Sequence, residues 1–234
     1  MTDIASPTNP SAAIARAMLS QRTNMVDSQV RPSDITDRRI IRAMGAVPRE
    51  VFVPAGLKAI AYMDNALTLA RTPVPRALME PRLFAKLVQL AEIPDGGRVL
   101  EVGCGTGYGV AVLTAMGCKA TGVEENAELA AEAQKALAAA GGTQPPIRIA
   151  ALTKGAPDDG PFDAIILSGS VAQVPAALFD QLKAGGRLVA VVGAGPSGKA
   201  TVWLRSGTTF DPRDAFDAGA APLPGFARSA QFVF

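Results

Sequence analysis

The chain has 234 residues, 48% of them apolar and 19% charged, with a formal net charge of +2. That length suits one α/β domain with a smaller appendage, and the near-neutral charge gives no electrostatic case for nucleic-acid binding. It contains 0 histidines, which excludes imidazole bases, His-containing triads and His-ligated metals, and its 2 cysteines are too few for a disulfide framework and suit a reducing cytoplasm.

Residues 1–10 are rich in Ser, Thr, Pro and Asn and read as a disordered tail without a signal-peptide layout; no later run is long and apolar enough to span a membrane. Ser11 to Val30 is Ala-rich and predicts a helix carrying Ile14, Met18 and Leu19 on one face, ended by Pro32. Asp34 or Asp37 can cap the next helix, whose apolar face is Ile40, Ile41, Met44 and Val47. Pro48 and Pro54 bracket a short segment, and a further short helix is predicted over Ala55 to Tyr62. Thr68 to Pro81 reads as a proline-rich loop. Its Arg71, Thr72 and Arg76 are candidates for holding a ligand, against the plainer reading of solvated side chains on a rigid surface connection. Pro81 opens a helix that runs to about Ala91.

From residue 95 the pattern becomes alternating. Strands are predicted at Val99 to Val102, Lys119 to Val123, Ile147 to Ala151, Phe162 to Leu167 and Leu188 to Val192, with helices at Tyr108 to Met116, from the Asn126 cap to Ala140, and at Pro175 to Leu182. Thr201 to Leu204 and Ala230 to Phe234 are expected to close the sheet as an antiparallel pair, because no helix fits between them. Strands alternating with helices imply a Rossmann-like, mostly parallel seven-stranded sheet with an antiparallel C-terminal strand, preceded by a helical cap.

Gly103-Cys104-Gly105-Thr106-Gly107 follows the first strand of that sheet. Glycines at the carboxyl end of a parallel strand let main-chain amides approach a ligand, and Glu124, at the end of the next strand, can accept both hydroxyls of a ribose. The pairing is one for an adenosyl group. A nicotinamide fingerprint would need glycine at Tyr108 or Val110, and a phosphate loop would need Gly-Lys-Ser/Thr; neither is present. Cys104 reads as part of the turn and not as a nucleophile, although a helix N-terminus there would lower its pKa.

The spacing Glu101, Gly103, Gly105, Gly107 resembles the first motif of class I S-adenosylmethionine-dependent methyltransferases. The flanks are more specific. Met25 to Val30 (MVDSQV), Val47 to Pro54 (VPREVFVP), Ala61-Tyr62-x-Asp64, Pro161 to Ile166, Val174-Pro175 and Gln181 to Val189 resemble the protein-L-isoaspartate O-methyltransferases, over about Met25 to Gly193. The resemblance implies S-adenosylmethionine as cofactor and a protein or peptide carboxylate as acceptor. It divides the chain into a tail and helix (1–24), a cap with the substrate loop (25–94) and a cofactor-binding α/β domain (95–234).

Cofactor candidates are then Glu101, Gly103, Cys104, Gly105, Gly107, Tyr108 and Glu124, with the main chain at Ala151 and Leu152; Arg71, Thr72, Arg76 and Met79 are candidates for the substrate. Two places depart from the family. Met79 stands where its loop carries an active-site serine, and Ala151 stands where an aspartate is expected to meet the adenine, a loss worth about 1.5–3 kcal/mol of charge-assisted hydrogen bonding. A sulfonium donor is already activated and a carboxylate acceptor is itself a nucleophile, so transfer rests on alignment and needs no histidine. No catalytic residue is assigned. The alternative is a binding or regulatory module in which Leu78 and Met79 pack into the acceptor space.

Overall fold

The computed structural model describes residues 10–70, 75–193 and 197–227. Its main sheet has seven strands in the order β5-β4-β3-β6-β7-β8-β9: β3 (Arg98–Val102), β4 (Lys119–Glu124), β5 (Ile147–Ile149), β6 (Phe162–Val171), β7 (Leu182–Val192), β8 (Lys199–Ser206) and β9 (Thr209–Asp217). The strands from β5 to β7 pair in parallel, and β8 and β9 pair antiparallel at the far edge. The central strands are covered on both faces, which is why they read as continuous apolar runs. Their side chains alternate between two cores: Val99, Ala164, Ile166, Val189 and Val191 face one, and Leu100, Val102, Ile165, Leu167, Leu188 and Ala190 face the other.

The helices are α1 (Pro10–Met25), α2 (Arg38–Ala46), α3 (Pro81–Leu90), α4 (Tyr108–Ala115), α5 (Ala127–Ala140) and α6 (Ala176–Phe179). Capping follows the sequence signals. Asp37 accepts from the Arg39 amide at 2.8 Å, and Asn126 accepts from the Glu128 and Leu129 amides at 2.9 and 3.1 Å. The first core is shared: residues of the cap such as Met25, Ile40, Met44 and Phe52 join it together with sheet residues as far along the chain as Val202 and with Ala218 just beyond β9.

Four expectations are corrected. The long N-terminal helix gives way at Val26–Val30 to a π-helical turn in which Val26 and Val30 are buried; upstream, Ile14 and Leu19 remain exposed. The loop Thr68 to Pro81 contains a small antiparallel hairpin, β1 (Leu67–Ala70) and β2 (Arg76–Leu78), in which Leu67 faces Leu78 and Ala70 faces Arg76. The helix predicted over Pro175 to Leu182 shrinks to the four residues of α6, because the chain re-enters the sheet at once: the Phe162 amide donates to the Gln181 carbonyl at 2.8 Å. The strand that pairs with β8 on its outer side is β9; the segment Ala230 to Phe234, assigned that place from sequence, lies outside the described residues.

Candidate active site

The site forms at the carboxyl ends of β3 and β4. Beyond Val102 the chain turns sharply, with Gly103, Gly105 and Gly107 all at positive φ (77°, 55° and 87°), a path that side-chain-bearing residues rarely follow. The Gly103 and Cys104 amides both donate to the Val123 carbonyl, at 2.9 and 3.1 Å, which locks the turn to the neighbouring strand. Thr106 donates to the Phe52 carbonyl and ties the same turn to the cap.

Glu124 is wholly buried at the end of β4. Its Oε2 accepts from the Gly105 amide at 2.9 Å, and its Oε1 accepts from the Asn126 amide at 3.1 Å and from Arg76 Nη1 at 2.7 Å. Arg76 also donates from Nη2 to the Gly103 carbonyl at 3.0 Å and is itself 4% exposed. Burial next to Glu124 replaces the solvated surface arginine of the plainer sequence reading, and puts Arg76 at the carboxylate expected to meet a ribose. Arg71 and Thr72 lie outside the described residues.

Glu101 lies beneath the first turn of α4, within contact of Gly109; a Cβ there would fall 2.2 Å from Glu101 Oε1. Burial pushes its carboxyl up to about 7, against the opposing hydrogen bond that Ser168 donates to Oε1. Cys104 is also buried, and burial together with the nearby Glu101 and Glu124 carboxylates pushes its thiol well above the ordinary range. The lowering expected from a helix terminus is therefore overturned, while an inert thiol in the turn agrees with the structure.

On the cap side Leu78 and Met79 are buried. Arg49, with no exposed surface, donates from Nε to the Ala61 carbonyl at 2.8 Å and from Nη2 to the Met79 carbonyl at 2.7 Å; its guanidinium lies 4.7 Å from the centroid of the Tyr108 ring. Desolvation lowers the pKa of Arg49. Tyr108 packs edge-on to Phe52, with ring centroids 5.8 Å apart, so its side chain is part of the wall between cap and turn. Leu152 is fully buried in the second core and Ala151 is exposed, while the Ala150 amide donates to the Glu124 main-chain carbonyl at 3.3 Å, so the chain just past β5 is tied to the end of β4.

Sequence reasoning missed Arg49, Ser168, Leu69 and Leu223. A lone arginine inside the apolar, proline-bracketed segment VPREVFVP was the available signal for Arg49. Nothing local marks the two leucines. Leu69 Cδ1 and Leu223 Cδ2 each stand 2.7 Å from where a Cβ would sit on Gly105 and Gly103 respectively, so they lie over the glycine turn. The residual cavity between Leu69, Met79, Phe84, Glu101, Gly105 and Tyr108 is about 10 Å³, room for at most one water.

The donor set fits an S-adenosyl group in its chemistry: a buried carboxylate for the ribose, a glycine turn free of side chains, and the N-terminal end of α4. The volume above the turn is taken by Leu69, Leu223 and Arg76.

This fold, with the glycine turn and the acidic end of β4 at its carboxyl edge, defines a class I S-adenosylmethionine-dependent methyltransferase. A sequence profile of the protein-L-isoaspartate(D-aspartate) O-methyltransferase family matches residues 20–208, and the chain belongs to that family. It is 39% identical over 204 residues to a protein-L-isoaspartate O-methyltransferase of Methylorubrum extorquens, covering 86% of this chain and 87% of the relative. It is 37% identical over 173 residues to one of Methanoculleus marisnigri, covering 74% and 77%. A solved protein-L-isoaspartate O-methyltransferase shares the fold with a TM-score of 0.78 at 22% identity, over 89% of this chain and 66% of that one. A Plasmodium falciparum structure, described as a putative protein-L-isoaspartate O-methyltransferase in complex with S-adenosyl-L-homocysteine, has a TM-score of 0.71 at 18% identity over 86% of this chain and 97% of that one.

Proposed function

We propose that this chain transfers a methyl group from S-adenosylmethionine to a carboxylate of a protein or peptide, with isoaspartyl residues as the first acceptor class to test. The observation that carries the reading is Glu124: a buried carboxylate at the end of the second parallel strand, bonded to an amide of the glycine turn. Glu124 would accept the ribose hydroxyls, the turn from Gly103 to Gly107 would border the rest of the donor, and the main chain at Ala151 and Leu152 would border the adenine. The bound donor supplies an activated methyl group. The chain supplies alignment: Arg49 fixes the Met79 carbonyl, and Leu78, Met79 and Phe84 shield the reacting centre from water.

No general base is required, since a carboxylate acceptor needs no deprotonation. Two free, buried cysteines suit a reducing, cytoplasmic setting. The experiment is methyl transfer from labelled S-adenosylmethionine to an isoaspartyl peptide, beside the aspartyl peptide of the same sequence. Base-labile label on the isoaspartyl peptide alone is the expected result; label on neither, with the donor bound, rejects that acceptor.

One observation favours a second reading, a binding module without turnover: the space between the glycine turn and Met79 is reduced to about 10 Å³. Donor binding without label on peptide or cell extract is its signature.

A further inference from the structure

We propose that Arg76 is an internal competitor of the donor, holding the Glu124 carboxylate in the place of the ribose, so that an S-adenosyl ligand binds only by displacing it. The inference rests on the methyltransferase reading above and adds a residue that sets donor affinity.

Three observations converge. The first is that the guanidinium spans two groups of the donor site at once, the Glu124 carboxylate at 2.7 Å and the Gly103 carbonyl at 3.0 Å. One arm of the planar fork takes the carboxylate oxygen that a ribose hydroxyl would use, and the other takes a carbonyl of the glycine turn. The second is that Glu124 does not need Arg76 to be satisfied in the fold. The Gly105 and Asn126 amides already supply one donor to each oxygen, and both come from the main chain that builds the site. The third is that Arg76 does not act alone. Leu69, on the facing strand of the same hairpin, puts its Cδ1 over Gly105, where a donor would have to pass close to the main chain. The two side chains fill the polar and the apolar parts of one ligand's footprint.

The hairpin that carries them is suited to yielding. It is a separate two-stranded sheet of four and three residues, not hydrogen-bonded into the seven-stranded sheet. Short isolated hairpins hold their place through side-chain packing more than through ladder bonds. Moving Arg76 therefore leaves the main sheet, the glycine turn and Glu124 where they are. The apparent affinity for the donor is then the intrinsic affinity scaled by the fraction of molecules in which Arg76 has left Glu124.

The test is isothermal titration of the full chain with S-adenosylhomocysteine, comparing wild type with Arg76→Gln, Arg76→Ala, Leu69→Ala and Glu124→Ala. Arg76→Gln is included because it keeps a hydrogen-bond donor near Glu124 if the alanine variant folds poorly. Circular dichroism checks folding, and the ligand-induced rise in melting temperature gives a second readout independent of turnover. The expected result is binding about tenfold or more tighter in both Arg76 variants, a smaller gain in Leu69→Ala, and loss of binding in Glu124→Ala. Wild type that binds while folded Arg76 variants bind equally or more weakly overturns the competitor role and leaves the methyltransferase reading in place. No binding by any folded protein, Arg76 variants included, overturns both.

Discussion

The Arg49 guanidinium donates to the Met79 main-chain carbonyl at 2.7 Å, thirty residues along the chain, and the same side chain holds the Ala61 carbonyl at 2.8 Å. One buried cation thus sets the position of the chain beside the glycine turn. Replacement by methionine strands two buried carbonyls. Arg49→Met should lose about 2–4 kcal/mol of stability in urea denaturation, and Arg49→Lys nearly as much, because an ammonium cannot reach both acceptors with the geometry of the fork. A loss below about 0.5 kcal/mol would mean that these bonds are replaced by water at no cost.

Met79 is 6% exposed and fills the place beside the residual cavity. Met79→Ser should cost about 2–4 kcal/mol from lost burial and the space left behind. It should also raise methyl transfer to an isoaspartyl peptide, because a hydroxyl and a larger cavity then face the donor site. Transfer that falls in step with the folded fraction would show that residue 79 does not limit the acceptor.

The pH dependence of stability has a definite sign at Glu101. Its folded-state pKa of about 7 lies above the ordinary value of 4.5, so the folded chain holds this proton more tightly than the unfolded chain does. The resulting stabilisation is fully present below the unfolded pKa and is lost as pH rises through the folded one, an effect of about 3 kcal/mol across that window. Denaturation of wild type and Glu101→Gln at a series of pH values should show the difference narrowing toward low pH and widening toward neutrality in favour of Gln. A pH-independent difference would place the proton elsewhere.

Asn126 serves the site through its main chain and α5 through its side chain. Asn126→Ala should therefore cost about 1 kcal/mol, the usual value of a lost helix cap, and leave S-adenosylhomocysteine binding unchanged. A matching loss of affinity would assign the side chain to the ligand.

What was legible in the sequence was what is encoded locally. The glycine turn announces itself because three positive-φ positions demand glycine within five residues, and Glu124 because it ends an apolar run and precedes an Asn cap. Arg76 was legible as a ligand candidate, but its burial against Glu124 was not, because that depends on a carboxylate 48 residues away and its strand is too short for alternation to show. The edge strand β9 was missed for a different reason. Thr209–Asp217 is mostly exposed and contains Pro212, so it carries neither a buried face nor the composition of a strand, and a proline is tolerated there because, among the described residues, one edge is unpaired. At Cys104 the local rule about helix termini was right in kind but was outweighed by desolvation, which is a property of the packed fold.

The cap and the sheet share the core that runs from Met25 to Ala218. A chain begun at residue 95 would keep every strand of the main sheet, and α4 and α5 with them, but would strip the cap's share of the cover from that face. Such a fragment would be sticky and prone to associate through the uncovered part, and the intact chain should melt in one cooperative step instead of shedding its N-terminal third first. The elements that shape the acceptor side are, in that sense, bound into the same folding unit as the donor site.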